Sequence, residues 1–402
     1  MSFDFAKIIA RDDTASVKQD GRAGYFGTSD ILPLWVADMD FSAPEAVINA
    51  LTQRAEHPVY GYSFYPESMY DALISWLKSR HGWTVERDWI VMAPGVVTSL
   101  FASVMAFTEQ GDGVIVQPPV YAPFFSAVTT NQRHLIENPL MLVDDVYYID
   151  FEHLERCAAD GAKMLIFCSP HNPVGRVWSK AELEQLLAIT RRYDITILSD
   201  EIHADLIYPD LKHTENPTEN YIGEQHTTLA MLASKSDKII TAVAPSKTFN
   251  IPGLGLSAMI VPNPAQRTAL KKVFDSLHLS NTNPFSIAAF EAAYRGGEAW
   301  LDALLIYLRD NRDFVSNYLK NNIPSIRLIQ PQGTYLLWLD CRDLKMTDLQ
   351  LEAFFVKEAK VGLNLGKSFG KGGSGFMRLN IASPRSVIAE ALNRIATTLN
   401  AR

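Results

Sequence analysis

An α/β fold is predicted: a mostly parallel sheet covered by helices, followed by an attached α+β segment. Two observations carry it. Short apolar runs alternate with amphipathic stretches through the middle of the chain, and long helical patterns take over from about residue 283. Val114-Ile115-Val116 follows a Gly-Asp-Gly turn and reads as a buried strand. The apolar runs at 164–168, 195–198, 239–243 and 256–261 read the same way. Between the second and third runs, Ser179 stands three residues before Glu182, a capping-box spacing. Leu183, Leu186, Leu187 and Ile189 then recur at near-helical intervals. In the later part a helix is expected over 300–319, a strand over 334–339 and a helix over 348–360. A strand over 377–382 then precedes a terminal helix opened by Pro384. The stretch 209–228, rich in Asn, Glu, Thr, His and Pro, reads as a surface excursion.

Composition narrows the function classes. At about 150 residues per domain, the 402 residues suggest two or three domains. With 47% hydrophobic and 20% charged residues, there is ample material for buried cores. A net charge of −8 argues against a nucleic-acid binder, which needs a basic stripe, and against an anionic-membrane clamp. No apolar run approaches the ~18 residues of a membrane span, and the N-terminus lacks the basic flank of a secretory signal. Cys157, Cys168 and Cys341 are far apart and fit neither a zinc knuckle nor a disulfide scaffold. The expectation is a cytoplasmic enzyme.

Four segments place reactive residues directly after strands or at a helix start, where an open α/β sheet presents its ligands. Lys247, in Ala244-Pro245-Ser246-Lys247-Thr248, is a candidate amine nucleophile if the sheet edge lowers its pKa. Taken alone it reads as a surface lysine in a loop. Asp200, in Ser199-Asp200-Glu201-Ile202-His203-Ala204-Asp205, can pair with a cationic ring nitrogen. The same segment is open to a metal reading through Glu201, His203 and Asp205, or to a solvated loop. Asn172 lies between two prolines that fix its backbone. Gly95-Val96-Val97 opens a helix whose free N–H groups suit a phosphate.

Taken in chain order, these segments resemble the fold-type I pyridoxal-phosphate enzymes of the aminotransferase class I and II superfamily, over essentially the whole chain. Within them the sequence is most similar to the cystathionine β-lyase branch of carbon–sulfur lyases. Leu34-Trp35-Val36-Ala37-Asp38-Met39-Asp40-Phe41, Asp200-Glu201-Ile202-His203, Ser246-Lys247-Thr248-Phe249-Asn250 and Gly333-Thr334-Tyr335-Leu336 carry that resemblance. It implies a mostly parallel seven-stranded sheet in a large domain over 46–285. A smaller α+β domain would span 286–402, with 1–45 contributing to it.

The resemblance also implies roles. Lys247 would bind pyridoxal 5'-phosphate and shuttle protons, while Asp200 would keep the pyridine nitrogen protonated. Asn172 would bond the ring hydroxyl and Tyr121 would stack on the ring. Val96 and Val97, with Ser246, would cradle the phosphate. Arg378 would clamp the substrate carboxylate, beside Ala37. Tyr62 would reach in from a neighbouring subunit, making the active unit a homodimer. As single residues, Tyr121 reads as a partly buried aromatic and Arg378 as a strand residue facing water. Many relatives carry a tyrosine where His203 stands here, which makes His203 a cofactor contact or a residue one step behind it. They also carry a serine and a basic residue where Ala244 and Gly255 stand, so the usual phosphate shell does not carry over.

The implied reaction is elimination of a thiol from L-cystathionine or a related L-cysteine S-conjugate, giving pyruvate and ammonia. The alternative is an aminotransferase, because the two share their early steps. A G-x-S-x-G match at Gly366-Lys367-Ser368-Phe369-Gly370 suggests a hydrolase elbow, but no helix pattern follows and no histidine lies beyond His278. A mobile loop near the substrate entrance is expected there instead.

Overall fold

The computed structural model describes residues 3–209, 225–234, 236–279 and 282–402. Its centre is a seven-stranded sheet: β1 (Ile90–Ala93), β2 (Gly113–Val116), β3 (His134–Glu137), β4 (Ala162–Cys168), β5 (Thr196–Asp200), β6 (Ile239–Val243) and β7 (Ser257–Ile260). Their spatial order is β1-β7-β6-β5-β4-β2-β3. Only β7 runs against its neighbours, so the sheet is mostly parallel, as expected. All five apolar runs read from the sequence are strands of this sheet. β1 and β3 went unread: β1 is a short run ahead of a turn, and β3 is a half-exposed edge with no apolar block.

The helix Lys180–Arg192 begins with the capping box its sequence announced: Ser179 Oγ accepts from Glu182 N, and Glu182 Oε2 accepts from Ser179 N. Arg176, buried beside it, donates two bonds to the same Glu182 carboxylate and so locks the β4–helix connection.

The later residues form a four-stranded antiparallel sheet from β8 (Arg327–Ile329), β9 (Leu336–Asp340), β10 (Asn364–Leu365) and β11 (Phe376–Asn380), in the order β8-β9-β11-β10. The long helix runs Glu298–Asn322 and the terminal helix Arg385–Asn400, with Pro384 at its N-cap. The helix expected over 348–360 is split: Asp348–Ala353 is α-helical and Phe354–Glu358 is a wider π turn that buries Phe354 and Phe355 together. No helix among the described residues is long and apolar enough to cross a membrane.

Two expectations for loops change. Most of the excursion at 209–228 lies outside the described residues, but its end turns inward, with His226 and Thr228 buried. The glycine-rich loop at 366–375 is tightly packed, not loose. A Cβ on Gly366 would run into the Gly373 carbonyl, and one on Gly373 into that of Gly366. Phe369 is buried and its carbonyl accepts from Val120 N at 2.9 Å. A short 3-10 turn, Gly366–Phe369, follows β10, so the elbow geometry of a hydrolase is not formed.

The N-terminal segment is laced onto the second sheet. Leu32–Pro33 pairs in parallel with Val361–Gly362, and Asn380 Nδ2 donates to the carbonyls of Val36 and Asp38. A charge cluster tightens this seam, with Lys18 buried and its partners half-buried: Lys18 Nζ lies 2.7 Å from Asp40 and 3.8 Å from Asp38, and Arg11 pairs with both acids. Removing one member of a buried ion pair leaves the other uncompensated, at a cost of about 3–5 kcal/mol. Because the two acids are partly solvated and Arg11 remains paired with both, Lys18→Ala is expected below that range, a loss of about 2 kcal/mol in a urea unfolding curve.

Candidate active site

The parallel strands end in register. Cys168, Asp200 and Ala242 lie side by side at the carboxyl ends of β4, β5 and β6. The segments that follow these strands, with the start of the helix Val96–Phe107, enclose a cavity of about 230 Å³. Ala37, Val96, Val97, Tyr121, Asn172, Asp200, His203, Ser246 and Lys247 all line it. Arg378 adjoins it through Asn172. Tyr62 does not reach it within this chain; it is fully exposed on a projecting stretch.

Lys247 is carried by a one-turn helix, Pro245–Thr248, opened by a proline directly after β6. Its Nζ donates to the Ala37 carbonyl at 2.6 Å, and the Tyr335 hydroxyl donates to the same oxygen at 3.0 Å. Burial pushes the Lys247 ammonium down to about 8, and the Arg378 charge adds to this, against opposing pulls from Asp38 and Asp200. About a tenth of the amine is therefore neutral at pH 7, far more than for an ordinary lysine.

Asp200 is pushed up to about 7, chiefly by burial and further by Glu201, while the Ile202 N–H and Lys247 work the other way. A cationic N–H donor set against it would restore its charge. His203 is buried, and that burial, with the positive charges of Lys247 and Arg378, pushes its imidazole down to about 3. The ring is neutral, and its Nδ1 has no hydrogen-bond partner.

Arg378 does not face water. It sits on β11 with only 4% of its surface exposed, donating to Asn172 Oδ1 at 3.1 Å, the Trp35 carbonyl at 2.9 Å and Asn364 Oδ1 at 2.7 Å. Phe369 lies 5.0 Å from the guanidinium carbon. The Nε is buried without a partner, a donor suited to a carboxylate. Burial is also why Arg378 is pushed down to about 10. Because Asn172 Oδ1 is taken by Arg378, its amide N–H groups are the end left for other contacts.

Glu201, His203 and Asp205 diverge, which removes the basis of the metal reading. Glu201 accepts from Ser199, His226 and Leu229, and Asp205 from Trp76, His81 and Thr248, while His203 faces the cavity. Asn364, which braces Arg378 across β10 and β11, was missed from the sequence, where nothing gives the register of a two-residue strand.

A family model for aminotransferase class I and II matches residues 29–395. The chain belongs to this family. It is 41% identical over 402 residues to cystathionine beta-lyase PatB of Bacillus subtilis (strain 168), covering 100% of both chains. It aligns with a PLP-bound putative aminotransferase structure from Clostridium difficile 630 at a TM-score of 0.94 and 39% identity, covering 99% of this chain and 100% of that one. Cystalysin from Treponema denticola, whose crystal structure contains pyridoxal 5'-phosphate, gives 0.92 and 38% identity, covering 100% of each.

One departure from the family pattern has a local geometry of its own. Gly255 has φ +45°, and a Cβ there would lie 3.1 Å from the Pro94 carbonyl. A side chain at this position would therefore be strained, by the left-handed backbone and by the close Pro94 carbonyl. Among the described residues, no lysine or arginine other than Lys247 lines the cavity. An anion at this end would meet the N–H groups that open the helix Val96–Phe107, which carries no acid in its first turn, and the Ser246 and Thr98 side chains.

Proposed function

We propose that the protein is a pyridoxal-5'-phosphate-dependent carbon–sulfur β-lyase acting on L-cystathionine or a related L-cysteine S-conjugate. One observation carries this reading: a depressed amine, a buried acid and a buried guanidinium with an unpartnered Nε meet around one cavity. They do so in a chain 41% identical end to end to a cystathionine beta-lyase. The donor set fits the cofactor, with an acid for a cationic ring nitrogen, an amine for an aldehyde and a helix start with hydroxyls for a phosphate.

When bound, the cofactor draws toward its protonated ring the electron pair left on the substrate's α-carbon. The chain does the rest. Lys247 would hold the cofactor through its amine and, when displaced by the substrate's amino group, take the α-proton on Nζ. Asp200 would keep the ring nitrogen protonated, and Asn172 would donate to the ring hydroxyl. His203, neutral at working pH, would neighbour that hydroxyl without adding charge. Tyr121 would lie against the ring. Val96, Val97 and Ser246 would bind the phosphate. Arg378 would hold the α-carboxylate beside Ala37 and so fix which α-bond faces Lys247. As the Cβ–S bond breaks, sulfur leaves with a proton as the thiol, and the remaining fragment takes up water to give pyruvate and ammonia.

The active unit we propose is a homodimer in which Tyr62 completes the partner's site. Val59, Tyr60, Tyr62 and Phe64 project as exposed apolar side chains, and Val97 and Tyr121 at the cavity are 40% and 37% exposed. With 46–285 as the large domain and 286–402 plus 1–45 as the small one, Lys247 and Arg378 would come from opposite sides of the seam.

Covalent uptake of the cofactor needs the neutral amine. The depressed ammonium therefore sets a sign: uptake by the apoprotein is expected to climb about tenfold per pH unit and level off above about pH 8. Stopped-flow absorbance at several pH values reads this. For the reaction itself, purified protein with L-cystathionine and no keto acid is expected to release pyruvate and thiol in equal amounts. Turnover only upon adding a keto-acid acceptor would overturn the lyase reading in favour of transamination.

A further inference from the structure

We propose that Asp205 is a positioning residue for Lys247, fixing the one-turn helix that carries the amine through a hydrogen bond from Thr248. The inference rests on the proposed function above. Asp205 does not line the cavity. It lies five residues beyond Asp200, where the chain turns under the carboxyl end of β5, and its carboxylate is buried.

Three donors converge on that carboxylate. Trp76 Nε1 at 3.0 Å and His81 Nε2 at 2.7 Å bond Oδ1, while Thr248 Oγ1 bonds Oδ2 at 2.8 Å. Burial alone would raise its pKa; His81, Thr248 and Trp76 overcome that and hold it below the ordinary carboxylate value. It is therefore an ionised acceptor, and bonds to a charged acceptor are about twice as strong as neutral ones. Trp76 and His81 belong to the helix Glu67–His81, packed in the main core. The carboxylate thus ties a rigid helix to the residue that follows Lys247.

The need for such a tie is local. Pro245–Thr248 spans four residues, closed by Phe249 N to the Pro245 carbonyl and followed by Ile251 N to that of Ser246. One turn is too short to hold itself. Two side chains hold it instead, on either side of the amine. Behind, Thr248 grips Asp205. In front, Asn250 bonds the backbone of Met39 and Phe41, in the segment whose Ala37 carbonyl receives Lys247 Nζ. Releasing the rear tether leaves the turn held by β6 before it and by the Asn250 bonds to Met39 and Phe41 after it, with nothing fixing Thr248 between them. The distance from Nζ to the α-proton then varies, and misplacement by about 1 Å costs on the order of 100-fold in rate.

The test uses the cofactor-loaded protein and Thr248→Val, which keeps the side-chain shape and removes only the donor. kcat is expected to fall about 10- to 100-fold, while KM and cofactor affinity stay within about twofold. The kinetic isotope effect with substrate deuterated at the α-carbon should rise, as proton transfer becomes slower than the steps around it. Visible circular dichroism of the bound cofactor, read without substrate, should change in amplitude. Thr248→Ser, which restores the hydroxyl, should return kcat to within about threefold of the parent. Asp205→Ala, which removes the acceptor of Thr248 altogether, should shift kcat and dichroism in the same direction, and serves if the valine variant does not fold.

The proposal is overturned if Thr248→Val keeps the parent's kcat and dichroism. It is also overturned if the serine and valine variants lose activity equally along with thermal stability, since packing alone would then explain both. A parent protein with no visible cofactor band would instead remove the proposed function, and this inference with it.

Discussion

Lys247→Ala is expected to lower thiol release by on the order of 10⁴-fold and to abolish the visible band of the cofactor-loaded protein. Both effects follow from one atom. Nζ is the only amine in the cavity wall among the described residues, and it is held 2.6 Å from the Ala37 carbonyl. The same substitution is expected to leave thermal stability unchanged or slightly raised. Burial holds the folded-state pKa of this lysine at about 8, below its ordinary 10.5. The unfolded chain therefore binds the proton more tightly, and the lysine opposes folding at neutral pH, less so as pH rises through that interval. Calorimetry of the apoprotein alongside a turnover assay would separate a lost function from a lost fold.

Asp200→Asn is expected to lower kcat by on the order of 10³-fold while Lys247 still takes up the cofactor. Asp200 sits in register between Cys168 and Ala242, so the amide fits the same space without disturbing the sheet. What it removes is charge. Burial raises the carboxyl to about 7, so the folded state binds its proton more tightly than the unfolded chain. Its contribution to stability without a cationic partner is lost as pH rises from the ordinary carboxylate range through about 7. A cation beside it reverses this. At pH 8 the cofactor should therefore raise the melting temperature of the parent protein more than that of Asp200→Asn. Equal increments in the two proteins would argue against a charge pairing at this position.

Much of this architecture is legible in the sequence, because the strands that carry the chemistry are continuous apolar runs buried on both faces. Those runs put the segments after β4, β5 and β6 at one sheet end, and Asn172, Asp200 and Lys247 with them. Long-range register is harder to read. Arg378 alternates with Met377 and Leu379 like a residue facing water, and only β10 lying alongside, with Asn364 opposite, encloses it. The left-handed turn at Gly255, close against Pro94, is likewise invisible until the two segments are seen side by side. The glycines at 366–375 look like a flexible loop because composition does not reveal that Gly366 and Gly373 touch. Asp205, five positions from Asp200, gave the sequence only a metal-like cluster; its partners Trp76 and His81 lie more than a hundred residues away.

The most direct measurement is chemical. The cofactor-saturated protein is reduced with borohydride, digested, and its peptides weighed. The expected result is loss of the visible band and a single pyridoxyl-bearing peptide modified at Lys247. A protein that stays colourless when saturated, or a label fixed on any other residue, would contradict the account.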